Sequence, residues 1–261
     1  MSTRVSTSTD AVLVAQHGAV LEITINRPEA KNAVNADVAQ GIAAAVEELD
    51  SRPEIAVGII TGAGGVFCAG MDLKGFLRGE DPTVPGRGFA GLVEGPPVKP
   101  LIAAVEGYAL AGGFEIVLAC DMVVAAENAR FGIPEVKRGL VAGAGGLVRL
   151  PDRIPPAAAM ELALTGDPLD AERAHQLGLV NRVVGNGEAV TAAHELAARI
   201  AANGPLATKV SKQVLTESRS WPADERFDRQ RPLVETVFTS RDAKEGAQAF
   251  AEKRAPVWEG R

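Results

Sequence analysis

The sequence predicts an α/β core followed by a helical C-terminal region. Three observations carry that prediction. Short apolar runs rich in β-branched residues recur before Pro151, stretches with helical spacing lie between them, and beyond Pro151 the strand signals nearly vanish.

Residues 12–14 and then Val20, Leu21, Ile23 and Ile25 have strand-like content, and Gln16-His17-Gly18 between them suits a hairpin. From Asn35 the period changes. Val38, Ile42, Val46 and Leu49 recur at helical spacing until Pro53 closes the segment, which predicts an amphipathic helix. Residues 56–61, Leu101–Val105 and Met122–Ala126 are apolar on both faces, as strands buried between helices are. Residues 112–119 and 144–150 read as the intervening helices. Beyond Pro151, residues 155–165, 170–177, 187–203, 205–217, 222–238 and 241–251 read as helices, several opened by Asp or Pro, and only residues 179–184 interrupt them. Residues 79–100, rich in Gly and Pro, read as a surface or active-site loop. The expected organisation is a frayed N-terminus over 1–10, an α/β core over 11–200 and a helical region over 201–261.

The balance of 46% hydrophobic to 23% charged residues is that of a folded globular chain. A net charge of -6 argues against general nucleic-acid binding, which needs a basic surface to displace counterions. Cys68 and Cys120 both fall in apolar segments, so neither a disulfide framework nor a zinc site is expected, and a reducing compartment is. The first ten residues have no apolar core and no stretch approaches ~20 apolar residues, so neither export nor membrane spanning is expected. The expectation is a cytoplasmic protein with no metal.

Two glycine-bearing turns each follow a buried apolar run and lead into a helix: Val66-Phe67-Cys68-Ala69-Gly70-Met71-Asp72-Leu73 and Gly107-Tyr108-Ala109-Leu110-Ala111-Gly112-Gly113-Phe114-Glu115. A helix start offers unpaired N–H groups and partial positive charge, so two such turns facing each other would form an oxyanion hole. Taken singly, each also reads as an ordinary tight turn. Neither a dinucleotide fingerprint nor a P-loop string occurs. Glu115 sits among Phe114, Ile116, Val117 and Leu118, and Glu135 follows Phe131-Gly132-Ile133-Pro134. A carboxylate in apolar company is costly unless paired or employed, and desolvation favours its protonated form. The alternative for each is a charge interaction with a helix start. His17, His175 and His194 have no supporting Ser/Asp or Cys pattern and read as structural or solvent-facing.

Taken in order, these segments resemble the enoyl-CoA hydratase/isomerase (crotonase) superfamily over residues 12–261. Asn26-Arg27-Pro28-Glu29-Ala30-Lys31-Asn32-Ala33 resembles its opening segment, and the two glycine turns resemble its oxyanion turns. Phe131-Gly132-Ile133-Pro134-Glu135, Gly143-Ala144-Gly145-Gly146 and Phe250-Ala251-Glu252-Lys253-Arg254 follow. The resemblance implies a spiral of ββα units with a C-terminal region that assembles a homotrimer or hexamer. It implies that the backbone N–H groups of Met71 and Gly112 hold a thioester oxygen, with Glu115 as the water-holding base and Glu135 as the acid. It further implies an acyl-CoA site at Lys31, Asn32, Ala33, Ala69, Gly70, Asp72 and Leu73, with Phe250 and Lys253 reaching coenzyme A on a neighbouring subunit. Coenzyme A would enter as part of the substrate, with no separate cofactor.

The activity implied is hydration of trans-2-enoyl-CoA to 3-hydroxyacyl-CoA, since hydratases of the family keep both glutamates. A double-bond isomerase and a silent acyl-CoA binding protein are the competing readings. Met71 stands where many hydratases have a small residue, Val141-Ala142-Gly143 replaces an Ile-Pro-Gly, and residues 75–97 follow no family pattern. Gly113-Phe114-Glu115 and the C-terminus look especially like carnitinyl-CoA dehydratases, which keeps a polar acyl group open.

Overall fold

In the computed structural model, which describes residues 3–5 and 10–261, the first hairpin is in the register its hydrophobic pattern demands. Strands β2 (Val12–His17) and β3 (Val20–Ile25) pair antiparallel from Val12↔Ile25 to His17↔Val20, turning at Gly18 with φ +61°. Strand β1 (Thr3–Val5), in the segment expected to fray, pairs antiparallel with β2, and residues 1, 2 and 6–9 lie outside the described residues.

The other strands follow as β4 (Val57–Gly62), β5 (Thr83–Val84), β6 (Gly88–Phe89), β7 (Leu101–Val105), β8 (Tyr108–Leu110), β9 (Met122–Ala126), β10 (Arg130–Gly132), β11 (Leu169–Asp170) and β12 (Arg182–Val184). The main sheet has the order β1-β2-β3-β4-β7-β9-β12 and is parallel from β3 onward. Its two faces sort by the two-residue period of a strand. Val57, Ile59, Ile102, Ala104 and Val124 face helix α7 (Ala189–Ala201), which buries Ala189, Ala192, Ala193 and Ala197 against them. Ile60, Leu101, Ala103, Val105, Val123 and Ala125 join the larger core on the opposite face, with helix α1 (Ala36–Ser51). The α1 start is fixed by Asn35, whose side chain accepts a hydrogen bond from the Val38 N–H at 3.1 Å.

A second, three-stranded sheet, β11-β10-β8, was not legible in the sequence, because strands of two or three residues have no period to detect. It organises the site. Two parallel strands of the main sheet are each followed by a short strand of this second layer and then a helical segment: β7 by β8 and α3 (Gly112–Ala119), β9 by β10 and a 3₁₀ turn over Pro134–Arg138. Before them, β4 leads to a bridge at Cys68 and to α2 (Leu73–Leu77). This is the ββα repetition expected of the fold.

Helices α4 (Gly146–Arg153), α5 (Pro156–Thr165) and α6 (Ala171–Gln176) follow, and α4 runs two residues past Pro151, where the sequence suggested a stop. After α7 come α8 (Pro205–Glu217), α9 (Arg226–Phe238) and α10 (Arg241–Glu252). Lys212 ties α8 to the core by donating from Nζ to the carbonyls of Pro97 and Lys99 and to Asp121 Oδ2, at 2.7, 2.8 and 2.7 Å. Helix α9 buries none of its residues, and Leu215, Phe227, Phe238 and Phe250 are largely exposed along this helical region.

Candidate active site

Strand register brings the sequence-predicted residues together. In the second layer Cys68 bridges Ala109, which pairs in turn with Phe131, all parallel. Met71, Gly112 and Pro134 each lie three residues beyond these aligned positions, so the two glycine turns and the Glu135 turn emerge side by side. Contact between the glycine turns is direct. Gly70, at φ +106°, lies so close to the second turn that a Cβ there would sit 2.8 Å from the Ala111 Cβ and 3.3 Å from the Gly112 nitrogen. A Cβ on Gly113 would overlap the Cys68 carbonyl oxygen, so only glycine lets α3 close on the first turn.

Ala111, just before α3, has φ +52° and ψ −129°, a conformation that strains any residue with a side chain. Its N–H donates to the Gly132 carbonyl at 2.8 Å, and its carbonyl accepts from Phe114 and Glu115, so the strained turn is held at both ends. The consequence is that the Gly112 N–H points out of the helix start without an acceptor among the described residues. The Met71 N–H also has none, because the Val34 bridge uses the Gly70 carbonyl and the Asp72 N–H on either side of it. Two adjacent unpaired backbone donors can bind an oxygen that gains negative charge. The ring of Phe89, from the β5–β6 hairpin inside the loop that follows no family pattern, packs against Gly112 where a Cβ would sit.

The coenzyme-binding candidates turn out to build the loop itself. Lys31 and Asn32 both have left-handed backbones, at φ +51° and +56°. Asn32 is fully buried and its side chain is spent on the chain: Oδ1 accepts from the Arg27 N–H at 2.9 Å, and Nδ2 donates to the carbonyls of Ala63 and Val66 at 2.8 and 2.6 Å. Asp72 caps α2 by accepting from the Lys74 and Gly75 N–H groups, both at 3.1 Å, and pairs with Arg27 Nη2 at 3.0 Å. Those hydrogen bonds, from Gly75 above all, hold the Asp72 carboxyl below its usual range. The surfaces left for a ligand are the exposed Lys31 and Leu73, with the half-buried Ala33 and Ala69. Phe250 is 87% exposed on α10 and Lys253 ends that helix at φ +54°. No hydrogen bond or ion pair joins either to the turns among the described residues.

Glu115, on the first turn of α3, is 2% exposed. Its Oε1 accepts from the Gly146 N–H at 2.8 Å, which gives a role to the Gly143-Ala144-Gly145-Gly146 motif: the start of α4 is a donor aimed at the carboxyl. Burial pushes the Glu115 pKa up to about 7, against the Gly146 hydrogen bond, and the charge of Glu135 raises it further. Glu135 lies within electrostatic reach of Glu115. Its own pKa is also raised, mainly by burial, and its Oε2 is a buried oxygen with no hydrogen-bond partner. Arg149 of α4, which donates to the Val93 carbonyl, is the cation that partly offsets the charge on Glu115. Cys68 stays a thiol, its pKa pushed to about 12 by burial.

Residues 15–261 match the family described as enoyl-CoA hydratase/isomerase. The chain belongs to the enoyl-CoA hydratase/isomerase family. A curated relative from Salmonella typhi, a carnitinyl-CoA dehydratase, is 45% identical over 97% of this chain and 99% of its own length. The solved structure of an enoyl-CoA hydratase from Mycobacterium tuberculosis H37Rv is 61% identical, with a TM-score of 0.96 over 97% of this chain and 100% of that one. That of a carnitinyl-CoA hydratase from Mycobacterium avium is 46% identical, with a TM-score of 0.78 over the same shares. Within this family, Phe89, Ala111, Arg149 and the Gly146 donor are features of this member's site that sequence reasoning left without a role.

Proposed function

We propose that this protein is an enoyl-CoA hydratase, adding water reversibly to trans-2-enoyl-CoA to give 3-hydroxyacyl-CoA. The observation that carries the reading is the pairing of two carboxyl groups of raised pKa with two unpaired backbone donors. The N–H groups of Met71 and Gly112 hold the thioester oxygen as it gains negative charge, an effect typically worth about 3–4 kcal/mol per donor. In this reading Glu115 acts as the base, taking a proton from water as the water oxygen bonds to C3, and Glu135 acts as the acid, delivering a proton to C2. The reverse sequence dehydrates. Lys31, Ala33, Ala69, Gly70 and Leu73 cup the adenosine end of coenzyme A, with Asn32 and Asp72 fixing their loop. Phe250 and Lys253 meet the coenzyme across a subunit boundary. The exposed apolar residues of α8–α10 support a homotrimer, or a hexamer of two trimers. Coenzyme A enters with the substrate and no separate cofactor is required. A place in fatty-acid metabolism is the reading that substrate class supports, and the two buried cysteines support a reducing, cytoplasmic setting.

A carnitinyl-CoA dehydratase reading is favoured by the Salmonella relative and the Mycobacterium avium neighbour. It uses the same two carboxyls on a polar acyl group. Loss of conjugated-thioester absorbance with crotonyl-CoA and with a longer 2-enoyl-CoA, in wild type and in Glu115→Gln and Glu135→Gln, tests the main reading. Rapid loss that falls by roughly 10²–10⁴-fold in either variant is expected. Turnover of carnitinyl-CoA alone selects the second reading, conversion of 3-enoyl-CoA as the main reaction indicates an isomerase, and saturable binding without turnover indicates an acyl-CoA binding protein.

A further inference from the structure

On the sheet face covered by α7, far along the chain from the glutamate turns, two histidines converge on one carboxylate. The strand period puts Val20, Glu22 and Thr24 on one side of β3, and Val20 packs in the cluster that α7 covers. His17 ends β2 directly opposite Val20, and His194 follows the buried Ala193 on α7. The result is a three-element meeting point. His194 Nε2 lies 2.7 Å from Glu22 Oε2, and His17 Nε2 lies 3.8 Å from the same oxygen. The two rings stack edge to face at 4.9 Å, and one donor atom from each residue lies within 4.8 Å of the other two. Strand pairing and helix packing thus join His17 and Glu22 with His194, which is remote from them in sequence, in a grouping that no local pattern signals.

We propose that His17, Glu22 and His194 form a surface site for a zinc-type divalent transition metal, clamping α7 to the β2–β3 hairpin. Two imidazoles and one carboxylate are the donor types that zinc takes, whereas magnesium and calcium favour all-oxygen sets. Zinc bonds of about 2.0–2.2 Å would hold tetrahedral ligands about 3.4 Å apart. The observed separations fall on both sides of that value, so small side-chain rotations suffice, chiefly of the exposed His17. Thr24 Oγ1, 3.4 Å from Glu22 Oε1, supports the second carboxylate oxygen. His17 is 42% exposed, which leaves a coordination position open to water. The site is independent of the reaction assigned to the glutamates.

The test uses full-length, tag-free protein, stripped with chelator, dialysed, and titrated with zinc chloride by calorimetry at pH 7.5 in excess magnesium. One zinc per chain is expected, bound roughly tenfold or more weakly in His17→Ala and in Glu22→Gln. At a fixed zinc concentration the thermal midpoint should rise more in wild type than in either variant. Circular dichroism of the metal-free variants checks folding, and His17→Gln replaces any variant that fails it. Absence of saturable one-to-one binding, or equal affinity in wild type and variants, overturns the site and leaves the triad a hydrogen-bonded clamp.

Discussion

Replacing Glu115 by Gln should make the protein more stable at pH 8 while suppressing its chemistry. The carboxyl is 2% exposed and its pKa is raised from 4.5 to about 7, chiefly by burial. Between those two values the unfolded chain has lost this proton and the folded chain retains it, so stability falls as pH rises. The stabilising contribution is complete below pH 4.5 and is lost as pH passes through about 7. At ~1.4 kcal/mol per pH unit, the interval corresponds to roughly 3 kcal/mol. Gln cannot ionise, and it keeps an oxygen to accept from the Gly146 N–H. The assay is urea unfolding at fixed protein concentration, followed by circular dichroism at pH 4.5, 6, 7 and 8. The stability of Glu115→Gln relative to wild type should climb across that series by up to roughly 3 kcal/mol. A difference that does not vary with pH, or a variant less stable than wild type at pH 8, would refute the claim that burial of an ionised Glu115 is the dominant cost.

Two more expectations follow from backbone geometry. Gly113→Ala should destabilise by about 1–3 kcal/mol and lower kcat, because its Cβ meets the Cys68 carbonyl oxygen, although Ala in place of Gly within a helix ordinarily gains about 1 kcal/mol. A thermal midpoint at or above wild type would contradict that clash. Asn32→Ala leaves the half-buried Ala63 and Val66 carbonyls and the Arg27 N–H without their side-chain partner, in a left-handed conformation that disfavours Ala. A loss of about 2–4 kcal/mol in denaturant unfolding is expected, with a raised KM for acyl-CoA from the loosened loop.

The sequence by itself determined the alternation of strand and helix, the all-helical end and the two glycine turns, because each has a local signal. Asn35 caps α1 where the period changes, and Leu101–Val105 and Met122–Ala126 are strands with the ends their apolar runs suggest. Apolar surroundings placed Glu115 and Glu135 among the candidates and family likeness gave them roles, but spacing could not bring them together. Only the tertiary structure decided that. Strands β8 and β10 are too short to have a period, yet their register aligns Cys68, Ala109 and Phe131 and so sets the Met71, Gly112 and Glu135 turns side by side. The same holds for Asn32, whose partners lie 31 and 34 residues away, and for the Gly146 donor, 31 residues from Glu115. His194 reaches Glu22 across 172 residues. Local sequence sets the conformation of a turn, whereas charge, burial and proton affinity at its tip depend on which other turns the fold packs against it.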